Sequence, residues 1–98
     1  RLLERAPDID AVFVASDVMA VGAIAAIRRS GRRVPDDIAV AGFDDSGLAA
    51  THEPALTTMR QPWEQLSERM VTLLLDAIAG RPVAPVVLST TFVPRDSA

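Results

Sequence analysis

The sequence predicts an α/β fold, a doubly wound domain on a parallel sheet, and three observations predict it. Two short apolar runs rich in β-branched residues, Ile9 to Ala15 and Ile38 to Phe43, read as strands buried on both faces. A helical pattern lies between them, so strand, helix and strand follow each other closely enough to form a βαβ unit with parallel strands. A second helical pattern and a further strand continue the alternation. Apolar residues make up 49% of the 98-residue chain, which provides for a packed core and excludes disorder.

Taken in order, Arg1 to Ala6 reads as the end of a helix cut from a longer one. Pro7 stops it, because proline cannot donate the next helical hydrogen bond. On this reading the chain is a piece of a longer protein. After the first strand come Ser16 and Asp17, both of types that cap a helix by accepting from a free N–H of its first turn. Val18 to Ser30 is the helix, and Gly31 ends it in a left-handed conformation. Its apolar residues Val18, Val21, Ala23, Ile24, Ala26 and Ile27 surround most of the circumference, so it is expected to be covered on more than one side.

Val34 to Asp37 is a turn, and the second strand follows. Asp44 to Pro54 reads as a loop and Leu56 to Met59 as a short extended segment. Pro62 suits a first helical position. From Trp63, apolar residues recur at Leu66, Met70, Leu73, Leu74, Ala77 and Ile78, which is helical spacing, until Gly80 and Pro82 close the helix. Val86 to Val93 is the last strand, with Pro85 and Pro94 marking a sheet edge or a strand end.

Composition narrows the function. Net charge is −3 and every basic residue is an arginine. A nucleic-acid-binding module carries a basic surplus on one face or helix. The one basic cluster, Arg28, Arg29, Arg32 and Arg33, sits at and after a helix C-terminus, where it complements the helix dipole on a solvated surface. Direct DNA contact by this chain is therefore not expected. Cysteine is absent, so disulfides and thiolate metal sites are not available, which fits a cytoplasmic protein. No apolar run approaches the ~20 residues of a membrane span, and no signal-peptide pattern opens the chain.

In an open parallel sheet, ligands bind beyond the carboxyl ends of the strands. The strands of the βαβ unit end at Ser16-Asp17 and at Asp44-Asp45, so both polar pairs are expected on one rim. Asp44, after Gly42-Phe43, can accept hydrogen bonds from ligand hydroxyls or ring N–H groups; the competing reading is a turn aspartate bonding its own backbone. Asp45 is read as a loop cap and Asp17 as a helix cap, while Ser16 stands between cap and ligand contact. Trp63 offers an aromatic face for a sugar or a planar base, and Gln61 offers both a donor and an acceptor. The alternative is that Trp63 begins the buried helix face and Gln61 caps it.

Catalysis is not expected. Adjacent acids such as Asp44 and Asp45 do not face one bond from opposite sides as glycosidase carboxylates do. His52, the single histidine, has no serine or cysteine nucleophile arrangement to support it. Metal-ligand spacing and a glycine-rich phosphate loop are both lacking, since Gly42 and Gly47 form no GxGxxG pattern. No cofactor is expected.

Five stretches in order cover essentially the whole chain: Ala15-Ser-Asp-Val-Met-Ala20 with Gly22-Ala23, Val34-Pro-Asp-Asp-Ile38, Ala41-Gly-Phe-Asp-Asp-Ser46, Pro54-Ala-Leu-Thr-Thr-Met-Arg-Gln-Pro62, and Val93-Pro-Arg-Asp-Ser97. In these the sequence closely resembles the C-terminal region of the lactose-repressor (LacI/GalR) family of bacterial transcription regulators. The resemblance implies a periplasmic-binding-protein-like domain of two lobes with a small-molecule effector in the cleft. Residues 1–98 would be the C-terminal part of that domain, mainly its C-terminal lobe. It further implies a homodimer, with DNA contacted only through a separate N-terminal helix-turn-helix that this chain does not contain. Family effector contacts map onto Asp44, onto Ser16, where asparagine is common, and onto Gln61 and Trp63 at a chain crossing between lobes.

The resemblance also implies that the helix from Trp63 to Ala79 packs on an N-terminal lobe. Leaving Leu66, Met70 and Leu73 uncovered would cost roughly 1.5–3 kcal/mol per side chain. In isolation the helix is therefore expected to redock or to swap with a second copy. The functional expectation is an effector-binding region of a transcription regulator, the effector being a sugar or nucleoside-like molecule. The alternatives are a fragment of a transporter's sugar-binding protein and an unrelated α/β enzyme.

Overall fold

The computed structural model describes residues 2–98. Eight elements follow in order: α1 (Leu2–Arg5), β1 (Ala11–Phe13), α2 (Asp17–Arg29), β2 (Ala39–Asp44), α3 (Gly47–Thr51), β3 (Thr57–Arg60), α4 (Trp63–Ile78) and β4 (Thr91–Val93). The four strands form one sheet in the order β1-β2-β3-β4. Strands β1 and β2 pair in parallel with Val12 opposite Val40, and β2 and β3 pair in parallel with Gly42 opposite Thr58. The predicted βαβ unit is thus present, and its second strand lies inside the sheet.

The chain divides into two compact units, one running to Arg60 and taking in Phe92–Ala98, the other Gln61–Thr91. In the first, Ala20, Ile24 and Ile27 of α2 meet Ile38, Val40, Ala49 and Leu56 in the core. Ser16 caps α2 by accepting from the Met19 backbone N–H at 3.3 Å, and Gly31 beyond its C-terminus has φ +83°, as a left-handed terminator requires. The last residues stitch the sheet at its lower end. The buried Ser97 hydroxyl donates to the Val40 carbonyl at 2.6 Å and accepts from the Thr57 N–H at 2.9 Å.

Several expectations are corrected. Only Ala11–Phe13 of the first run forms a strand, at the sheet edge, and Phe13 is 65% exposed. Helix α2 is covered on one face, leaving Val18 and Met19 exposed. The loop after β2 contains a short helix, α3, which its small residues did not announce by period. Only Thr91–Val93 of the last run is a strand, and Val87 before it is 94% exposed. Of the expected opening helix, Arg1 to Ala6, the first residue lies outside the described residues, Leu2–Arg5 forms α1 and Ala6 lies beyond its end.

In the second unit, α4 begins at Trp63 after Pro62 and ends before Gly80, whose φ is +69°. No residue of α4 is buried. Met70, Leu74 and Ile78, spaced by four, form an exposed apolar stripe.

Candidate functional site at the carboxyl ends of the strands

The rim predicted from topology is built as expected. The Asp17 side chain reaches from the start of α2 to the loop after β2, where its Oδ2 accepts from the Ser46 backbone N–H at 2.7 Å. Its Oδ1 accepts from the Thr58 hydroxyl of β3 at 2.6 Å, and both Asp17 and Thr58 are fully buried. Asp17 is therefore not the helix cap of the sequence reading, a task that falls to Ser16. It is a buried brace between three elements. Gly42 makes room for it: a Cβ there would lie 2.6 Å from Asp17 Oδ1 and 2.8 Å from Leu56 Cδ2.

Asp44 is the last residue of β2, half-buried and opposite Arg60 in the β2–β3 register. Its backbone has φ +119°, and that of Asp45 has φ +56°. Two successive non-glycine residues in this region cost about 1–3 kcal/mol each and persist only where the surroundings hold them. The holding groups are visible. Asp45 Oδ2 accepts from Arg60 Nε at 2.5 Å and its Oδ1 accepts from Arg95 Nη2 at 2.6 Å, with the Asp45 side chain 7% exposed. Arg95 also donates to the Leu56 carbonyl at 2.9 Å. Burial pushes the Asp45 carboxyl up, but the two guanidiniums outweigh it and hold it below the usual carboxylate range.

Of the four residues expected to contact an effector, Ser16 and Asp44 lie in the first unit, at the ends of the first two strands. Ser16 is half-buried, and its capping bond leaves its own proton to donate. Gln61 and Trp63 open the second unit, Trp63 as the first residue of α4 with its side chain half exposed. His52 bonds the Pro54 carbonyl through Nδ1 at 3.1 Å. Arg33 of the basic cluster is engaged by Asp36 and Asp37, at 3.2 and 2.8 Å. Sequence reasoning missed the frame of Thr58, Arg60 and Arg95. Arg60 and Arg95 stand inside the stretches that carry the family resemblance, yet no spacing rule links position 45 to position 95.

A parallel α/β sheet with a polar rim at its strand ends is the arrangement in which such domains hold small ligands. The model of the periplasmic binding protein-like domain matches residues 1–98, and the chain belongs to that family; its relatives are LacI-family regulators. It is 50% identical over 98 residues to the HTH-type transcriptional regulator CelR of Thermobifida fusca, covering 98% of this chain and 29% of that protein. It is 49% identical over 75 residues to the HTH-type transcriptional regulator MalR of Streptomyces coelicolor, covering 76% of this chain and 22% of that one.

Among solved structures, a CelR–cellobiose complex superposes with a TM-score of 0.89 at 49% identity, over 99% of this chain and 30% of that one. The lac repressor dimer bound to operator and the anti-inducer ONPF gives 0.86 at 36% identity, over 98% of this chain and 34% of that one. The chain thus spans about three-tenths of the length of such relatives. They are transcriptional regulators, which does not favour the transporter or enzyme alternatives.

Proposed function

We propose that this chain is the effector-binding and dimerisation region of a LacI-family transcription regulator, with a small sugar of the cellobiose type as effector. The observation that carries the reading is Asp44, a carboxylate at the end of an inner strand, in a chain half-identical to a regulator solved with cellobiose. A carboxylate accepts hydrogen bonds from vicinal sugar hydroxyls, and Ser16 adds a hydroxyl that both donates and accepts. Gln61 brings an amide and Trp63 an aromatic face, both suited to a sugar. The regulator acts in the cytoplasm as a homodimer and meets DNA through a helix-turn-helix outside these residues.

Effector binding shifts such a protein between states only if one state binds it better. The change reaches DNA as altered spacing of the paired reading heads. The test is calorimetric titration of the full-length protein with cellobiose, alongside operator binding. Asp44→Ala is expected to lower cellobiose affinity by at least about tenfold, the loss of one charged hydrogen bond. Effector-free DNA affinity should stay nearly intact. Equal loss of both would make Asp44 a structural residue and reject the reading.

A further inference from the structure

The neighbouring acid has a different task. We propose that Asp45 is a positioning residue: gripped by Arg60 and Arg95, it holds the turn that aims the Asp44 carboxylate at the effector. This rests on the reading of Asp44 as an effector contact.

Three observations converge on it. Asp44 and Asp45 both have positive φ, so the direction of the Asp44 side chain depends on a backbone that would relax if released. Asp45 is nearly buried, and each of its oxygens is taken by a separate guanidinium, which fixes the carboxylate and through it the peptide it shares with Asp44. The next residue, Ser46, is tied on the opposite side by its N–H bond to Asp17. The turn is thereby held at both ends.

The arginines come from informative places. Arg60 is the last residue before the chain passes into the second unit, and Arg95 follows closely on its return at Phe92. One carboxylate therefore gathers the outgoing and the returning segments beside the effector carboxylate. An effector that moves Asp44 would strain this clamp, and a change in either crossing segment would reach Asp44 through it.

The test uses the full-length protein with cellobiose as probe, comparing Asp45→Asn, Asp44→Asn and the double variant by titration calorimetry. Asparagine tolerates the left-handed backbone at 45 and keeps the shape, but it loses the charge and one acceptor oxygen. Asp45→Asn is expected to weaken cellobiose binding about tenfold or more in the wild-type background and less than twofold in the Asp44→Asn background, because its effect runs through Asp44. Arg95→Lys, which keeps a cation, should recover part of the affinity lost in Arg95→Ala.

A loss of equal size in both backgrounds would show a general structural role and overturn the proposal, as would unchanged binding in Asp45→Asn. If Asp44→Asn itself binds cellobiose like the wild type, the reading of Asp44 fails and takes this proposal with it. If Asp44→Asn alone loses affinity, only the positioning role is lost.

Discussion

Asp17, Asp44 and Asp45 are the same side chain in three kinds of work, and the difference comes from what each can reach. Asp17 is shut off from solvent, and its two oxygens are spent on one N–H and one hydroxyl, so it braces. Asp45 is held by two guanidiniums, and Asp44 keeps a half-buried place at the strand end. The brace depends on Gly42, since a methyl there would press on a carboxylate pinned by two hydrogen bonds and on the buried Leu56. Gly42→Ala is expected to destabilise the fold by about 1–3 kcal/mol, the usual cost of overpacking. Thermal unfolding should show a melting temperature several degrees lower. An unchanged melting temperature would mean that Asp17 moves aside freely.

At the scale of elements, α2 and α4 contrast. Both were legible from helical period, yet α2 buries Ala20, Ile24 and Ile27 while α4 buries nothing. Leaving the Met70–Leu74–Ile78 stripe in water forgoes roughly 1.5–3 kcal/mol for each side chain. The 98-residue chain is therefore expected to self-associate through α4. Sedimentation equilibrium should give a species heavier than a monomer, and Met70→Glu with Leu74→Glu should return it to one. A wild-type monomer at all concentrations would reject this.

Period failed elsewhere for stated reasons. Helix α3 is five residues long, too short for a 3.6-residue repeat to declare itself, and β1 and β4 are edge strands whose apolar runs outlast their pairing.

Over the whole molecule, stability should depend on acid. The Asp45 carboxyl is held below its unfolded value, so its contribution is fully present above an unfolded carboxylate pKa of about 3.9. That contribution disappears as pH falls through the lowered folded value. Asp45→Asn is expected to be less stable than the wild type near neutrality and to show a flatter loss of stability below about pH 4, measured by urea unfolding across pH. Parallel curves would show that the arginines do not hold this charge.

The βαβ unit and the shared rim could be read from the sequence, because topology fixes where parallel strands finish. The bonds that frame the rim could not. They join Asp45 to Arg95 and Asp17 to Thr58, and contacts so distant in the chain leave no mark on local pattern.

The stitching by Ser97 and Arg95 has a consequence for how this protein is made. Synthesis runs from residue 1 upward, whereas the sheet's lower seam and the grip on Asp45 wait for residues 95 and 97. Until these leave the ribosome, Asp44 sits on an unlocked turn. A nascent chain stalled before Arg95 should therefore be cut by protease in the segment from Asp44 to Ser46, and one extended past Ala98 should resist. The turn at Asp44 and Asp45 is thus completed by the last residues of this sequence to be translated.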